Sequence, residues 1–194
     1  KDGNVTLANT HLLVGGARVD NVFPKGKKII FDLTRLPPSN EKIWMVSSLG
    51  MTGRWGLHNG PHSGIVFDVA EMTRHPHYTH INYEKLYYDD QRRFGSLEIG
   101  SGPLILEDVG PSFMQDEVSL EIFSGVIRNK RLTKKPIGDF LLEQKYVSGI
   151  GNYLRADILY LSAISPFRPL GELSDEDIVR LYAACLDRFA VAYA

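Results

Sequence analysis

Apolar positions in the first hundred residues fall in short alternating or continuous runs, and after about Asp116 they recur every three to four residues. Lys28–Leu33 and Ile43–Leu49 are rich in bulky and β-branched side chains, with Pro37-Pro38-Ser39-Asn40 between them, so they predict two strands joined by a turn. Gly64–Val69, Thr79–Tyr83, Lys85–Tyr88 and Gly95–Ile99 continue the pattern, and Ile81 and Tyr83 alternate with polar neighbours as a half-buried strand requires. Val118, Ile122 and Val126 then predict a helical face. Two short helical patterns follow. Ile137, Phe140 and Leu141 stand behind Pro136, which suits a first turn; Leu154, Ile158 and Leu161 share one face and are stopped by Pro166. Ser148-Gly149-Ile150-Gly151-Asn152 reads as the tight turn joining them. In the last pattern Ile178, Leu181, Cys185 and Phe189 line one face. Ser174 is placed to cap it with Asp177 three residues on, and Leu173 and Ile178 are spaced as a hydrophobic staple. The expected fold is α+β: an antiparallel β-sandwich domain over residues 1–110, a linker near Gly110–Gln115, and an all-helical domain over 111–194.

Composition narrows the class. The 194 residues, 43% hydrophobic and 23% charged, suit a soluble chain with one good core or two small ones. No apolar run approaches the roughly 18–20 residues of a membrane span, and no secretory signal opens the chain. The single Cys185 excludes an internal disulfide and a cysteine-built zinc site within this chain, and its place on an apolar face predicts core packing. These features predict an intracellular protein. The net charge of −1 argues against a generally basic nucleic-acid binder, but the cations are grouped. Lys25, Lys27 and Lys28 form one group, Arg92 and Arg93 a second, and Arg128, Lys130, Arg131, Lys134 and Lys135 a third. The chain opens on Lys1-Asp2-Gly3-Asn4 and closes within a helical pattern at Phe189–Ala194, so both ends are expected to be cut.

Four motifs carry candidate chemistry, and each alone also fits a plain structural role. Gly151 and Asn152 bring backbone amides to a helix start, whose unpaired N–H groups and partial positive charge suit a phosphate; the same pattern fits an ordinary helical hairpin with a glycine cap. Lys27, in Lys25-Gly26-Lys27-Lys28 just before a strand, can bind phosphate or act as an amine nucleophile; a solvated edge lysine is the alternative. In Leu49-Gly50-Met51-Thr52-Gly53, Met51 is either a flexible apolar side chain at a loop tip or a core residue beside a bulge. In Asp90-Gln91-Arg92-Arg93-Phe94-Gly95, Arg92 can reach a base edge and Phe94 can wedge into a base stack, or Phe94 sits in a hairpin core.

The order of these motifs is more specific than any one of them. Gly-Lys before a strand, LGMTG, RRFG and QKYVSGIGNYLRADILY together resemble the Fpg/Nei family of formamidopyrimidine-DNA glycosylases and endonuclease VIII-like enzymes, from about Lys25 to Ala194. The resemblance implies a helix-two-turn-helix motif in the second domain and base-excision repair of oxidised bases on damaged DNA. The base is extruded, its glycosidic bond cut, and the strand nicked by β- or β,δ-elimination. It implies a monomer working with DNA inside the cell, gripping it in a cleft between the domains, and no membrane partner. Met51, Arg92 and Phe94 match residues that fill the hole left by the flipped base. Lys27 matches a lysine that contacts phosphate and aids catalysis, and Asn152, with Gly151, matches the hold on the phosphate beside the lesion. His80, in Tyr78-Thr79-His80-Ile81, matches a phosphate-contacting histidine less closely, and a core or surface histidine fits equally. In relatives the nucleophile is the amine of an N-terminal proline followed by glutamate. The 194 residues hold no such Pro-Glu, so this piece is expected to show little activity beyond residual lyase action through Lys27. No cofactor is expected within the chain; a zinc ion belongs to a finger that some relatives carry further on. The alternative reading is a non-catalytic relative that binds damaged DNA.

Overall fold

A computed structural model of the protein describes residues 6–8, 10–75, 78–100, 106, 108–114 and 118–192. Among the described residues eight strands precede the α-helices: β1 (Thr6–Ala8), β2 (Ala17–Lys25), β3 (Lys28–Arg35), β4 (Lys42–Ser48), β5 (Arg54–Gly56), β6 (Ser63–His75), β7 (Tyr78–Asp89) and β8 (Ser96–Gly100). They form a five-stranded sheet of order β1-β8-β4-β3-β2 and a three-stranded sheet of order β5-β7-β6. β3 with β4, β4 with β8, β5 with β7 and β6 with β7 pair antiparallel, while β1 runs parallel to β8. The alternation of β3 and β4 sets Phe31 opposite Met45 and Leu33 opposite Ile43. These four, with Leu97 and Ile99 of β8, are buried against Trp55, Ile65 and Phe67 of the smaller sheet, so the two sheets share one apolar layer as a sandwich. Trp55 stands edge-on to Phe31 at 5.5 Å and to Tyr88 at 5.0 Å, and its indole N–H donates to Ser47 Oγ at 3.0 Å.

The helices are α1 (Leu120–Ile127), α2 (Ile137–Phe140), α3 (Asn152–Ser162) and α4 (Asp175–Ala192). Ile137, Phe140, Leu141, Ile150, Ile158, Leu181 and Cys185 form the centre of a second core and are fully buried. Burial pushes the Cys185 thiol well up, so it packs as a small hydrophobe. α4 begins with the reciprocal cap written in its sequence: the amide of Ser174 donates to Asp177 Oδ2 at 3.0 Å, and the amide of Asp177 donates to Ser174 Oγ at 3.1 Å. Leu173 and Ile178 are both buried beside it. The Ser174 amide, then burial, then Arg168 act on the Asp177 carboxyl, and the sum holds it below the usual aspartate range. Its contribution is therefore present above the ordinary aspartate pKa and is lost as pH falls through the depressed folded value. Asp177→Ala is expected to cost about 1 kcal/mol near neutral pH and to flatten the acid side of the stability curve, read by urea unfolding at several pH values.

The chain divides into two compact units: Lys1–Phe23 with Lys28–Ile105, and Pro24–Lys27 with Leu106–Ala194. The stretch that reads as a linker is knitted into the second unit. The amide of Gly110 donates to the Gln144 carbonyl at 2.8 Å, Ser148 donates to Pro111, and Phe113 packs on Phe123 and Phe189.

Several elements differ from their sequence patterns. β2 has no continuous apolar signal because it is an edge strand with mostly exposed side chains, where Pro24 is tolerated. The short β5 carries too few residues for any period. Thr79–Tyr83 and Lys85–Tyr88 are one strand, since Glu84 pairs with Val69 without interrupting the ladder. The side chains of Ile81 and Tyr83 lie outside the described residues. In α1 the buried face is Phe123 and Ile127, and Ile122 is exposed. Val118 precedes the Ser119 cap, so a period counted from it starts outside the helix. In α3 Leu161 is exposed and Leu159 and Ser162 are buried in its place; Ser162 Oγ donates to the Ile158 carbonyl at 2.8 Å, which lets a hydroxyl occupy the core face.

Candidate nucleic-acid interface

The β unit presents three side chains from two loops. Met51 and Phe94 are 72% and 60% exposed, which rules out a core role for either. The Arg92 guanidinium lies 5.1 Å above the Phe94 ring, and its Nη1 is 3.5 Å from Met51 Sδ, so the three form one cluster of apolar surface around a cation. Hydrogen bonds to two side chains beneath them hold the loops together. The Asp90 side chain is fully buried and accepts from Thr52 Oγ1 at 2.6 Å and from the amide of Gly95 at 2.8 Å. Burial alone would raise its pKa, but the hydroxyl of Thr52 and the amides of Gly95, Arg92 and Arg93 outweigh it and keep the carboxyl below the usual range. Tyr88 Oη donates to the Ser48 carbonyl at 3.0 Å, and its pKa is pushed up to about 12 by burial and by the nearby Asp90 charge.

The helical unit presents a second group. α3 starts at Asn152 with Gly151 as its cap residue, and no side chain caps the first turn. Asn152 and Tyr153 are exposed there. The bend before α3 is braced by Gln144, whose Oε1 accepts from the Gly149 amide at 2.9 Å and whose Nε2 donates to the carbonyls of Leu142 and Ile150. Lys27 reaches this helix start from the turn between β2 and β3. Gly26 has φ 59°, and a methyl there would lie 2.8 Å from Ser148 Cβ, so only glycine lets the turn approach so closely. A methyl built on Gly151 would lie 3.5 Å from Lys27 Nζ. Lys27 is exposed as a whole residue, yet its pKa is lowered by desolvation. It makes no ion pair among the described residues. A cation beside an uncapped helix start has the charge and the free N–H groups that can hold an anion.

Two family models match successive parts of the chain: the formamidopyrimidine-DNA glycosylase N-terminal domain over residues 3–97 and the formamidopyrimidine-DNA glycosylase H2TH domain over 109–193. The chain belongs to the Fpg/Nei family. Formamidopyrimidine-DNA glycosylase of Thermus thermophilus is 30% identical over 186 residues, covering 93% of this chain and 61% of that protein. The Listeria monocytogenes protein of the same name is 28% identical over 181 residues, covering 90% and 59%. The crystal structure of MutM (Fpg) from T. thermophilus superposes with TM-score 0.71 at 28% identity, covering 95% of this chain and 64% of that one. Lactococcus lactis Fpg, in a complex with DNA containing an abasic site, shares the fold with TM-score 0.70 at 22% identity, covering 91% and 61%. The chain thus spans about three fifths of the length of these Fpg/Nei relatives.

Among the residues expected from the Fpg/Nei resemblance, the structure brings Met51, Arg92 and Phe94 together in one unit and Lys27, Gly151 and Asn152 in the other. His80 lies on β7 opposite Thr73, and its side chain is outside the described residues. Thr52, Asp90 and Gln144 lie within the same motifs and brace the two sites from beneath. Their signal was weak, because a polar residue in a loop ordinarily faces water; only their burial or their partners show otherwise. Among the described residues no group of three or more His, Cys, Asp or Glu could hold a metal ion, and no helix is long and apolar enough to cross a membrane.

Proposed function

We propose that this chain is the DNA-gripping part of a base-excision enzyme that removes oxidised bases and nicks the strand by β- or β,δ-elimination. The observation that carries this reading is the Lys27 amine beside the uncapped start of α3, within a chain whose relatives are named formamidopyrimidine-DNA glycosylases. The first-turn amides and Asn152 hold a backbone phosphate, and Lys27 supplies the counter-charge. A bound phosphate favours protonated Lys27 and so opposes the desolvation that lowers its pKa. Flipping a base costs a few kcal/mol of stacking, and Met51, Phe94 and Arg92 offset that cost by occupying the hole and meeting the opposite strand. The L. lactis relative, solved with abasic-site DNA, fits that substrate class. The protein acts as a monomer, intracellular and associated with DNA. An amine suits the strand-nicking step because it forms an iminium with the sugar carbon, which draws electrons for elimination.

Fluorescence anisotropy with an abasic-analogue duplex and an undamaged duplex tests the reading. Asn152→Ala is expected to weaken both by roughly fivefold to tenfold, whatever the base sequence, as loss of a phosphate contact should. Equal affinity in variant and parent would remove Asn152 from the site. In borohydride trapping on abasic-site DNA the 194-residue chain is expected to form little adduct. An abundant adduct that disappears in Lys27→Ala would instead make Lys27 the nucleophile.

A further inference from the structure

We infer that Thr52 and Asp90 form a positioning latch that sets Met51, Arg92 and Phe94 as one rigid probe, so that discrimination of a lesion from intact DNA depends on this buried pair. The inference rests on the function proposed above. Thr52 follows Met51 directly, and Asp90 lies two residues before Arg92. Thr52 Oγ1 gives its proton to Asp90 Oδ1 at 2.6 Å and accepts from the Arg92 amide at 3.1 Å. Asp90 Oδ1 also faces the Arg92 amide at 3.3 Å, while Oδ2 accepts from the Gly95 amide at 2.8 Å. One hydroxyl and one carboxylate thereby tie the Met51 loop to both ends of the segment Arg92-Arg93-Phe94-Gly95. Arg93, inside that segment, is held at φ 53°, a left-handed conformation that a non-glycine residue keeps only when its surroundings dictate it.

The chemistry of the pair is specific. Every group facing Asp90 is a donor, and no Lys, Arg or His pairs with it among the described residues. An asparagine would aim its NH2 at one of those donors. Burying an unpaired carboxylate is costly, and loops that needed only stability could be packed with apolar groups. A carboxylate that collects donors from both loops instead fixes their relative position. The exposed probe transmits that position, because Arg92 touches both Met51 and Phe94. Three side chains that must enter a base stack together lose effectiveness if one loop shifts by about 1 Å.

The decisive measurement is the ratio of affinities for an abasic-analogue duplex and an undamaged duplex of the same sequence. Parent chain, Thr52→Val, Thr52→Ser and Asp90→Asn are compared, each with a thermal unfolding curve. Thr52→Val and Asp90→Asn are expected to lower the ratio by roughly tenfold, with undamaged-DNA affinity held within about twofold and Thr52→Ser restoring the parent ratio. Thr52→Val keeps the shape of threonine, so it serves where Asp90→Asn fails to fold. An unchanged ratio in Thr52→Val would overturn the latch. Equal losses on both duplexes, or a loss that merely tracks the unfolding temperature, would also overturn it and leave a structural role. A parent chain that binds both duplexes equally would show the proposed function itself to be wrong, and the latch would fall with it.

Discussion

Phe140→Ala is expected to remove about 3–5 kcal/mol from the helical unit, a large part of the stability that a domain of this size has. Phe140 is fully buried at the end of α2 and stacks on Tyr146 with ring centres 5.4 Å apart. Ile137, Leu141, Ile150 and Ile158 belong to the same core, so the vacated space is walled by apolar groups held in place by their own packing. The two tryptophans make the outcome easy to read. Trp44 on β4 and Trp55 on β5 both belong to the other unit, whereas the helices dominate the far-ultraviolet signal. Loss of ellipticity at a lower temperature, ahead of the change in tryptophan emission, is the expected result. Coincident transitions at the parent temperature would show that Phe140 does not anchor the helical core.

Gly95→Ala is expected to cost about 2–4 kcal/mol in the β unit, from overpacking and a lost hydrogen bond. A methyl at Gly95 would overlap the Tyr88 hydroxyl and lie 2.8 Å from the Ser48 carbonyl oxygen, which is the acceptor of that hydroxyl. The backbone cannot yield easily, because the Gly95 amide is held by Asp90. Tyr88 must therefore move, and it packs on Trp55. Two readouts follow. The tryptophan-detected urea midpoint should fall, and Tyr88, whose pKa is pushed up to about 12 by burial and the Asp90 charge, should titrate lower once its hydroxyl is displaced toward water. Tyr88→Phe combined with Gly95→Ala should cost less than the sum of the single changes, since the phenyl ring lacks the overlapping oxygen. Strict additivity would mean that the two residues do not conflict.

How much was legible in the sequence depended on the distance over which each signal acts. The α4 face of Ile178, Leu181, Cys185 and Phe189 was read correctly, because every member lies within one or two helical turns of the next. The cap of Ser174 and Asp177 spans three residues and was equally readable. In α1 and at the end of α3 the buried face is displaced by one residue from the apolar pattern. There, burial chose Phe123 over Ile122 and Ser162 over Leu161, and a buried serine satisfied by its own helix has no hydrophobic signature. β2 was missed because an edge strand with exposed side chains needs no apolar period.

The sequence by itself determined the α+β class, the helical hairpin with its bend, and the family, since strand and helix periods, caps and ordered motifs are local properties of the chain. Only the tertiary structure decided that Met51 and Phe94 face outward, that Asp90 is buried, and that Lys27 stands over Gly151. Thr52 and Asp90 are 38 residues apart and meet only because two sheets close on one apolar layer. A contact of that kind is set by chain closure and packing, and no local period encodes it.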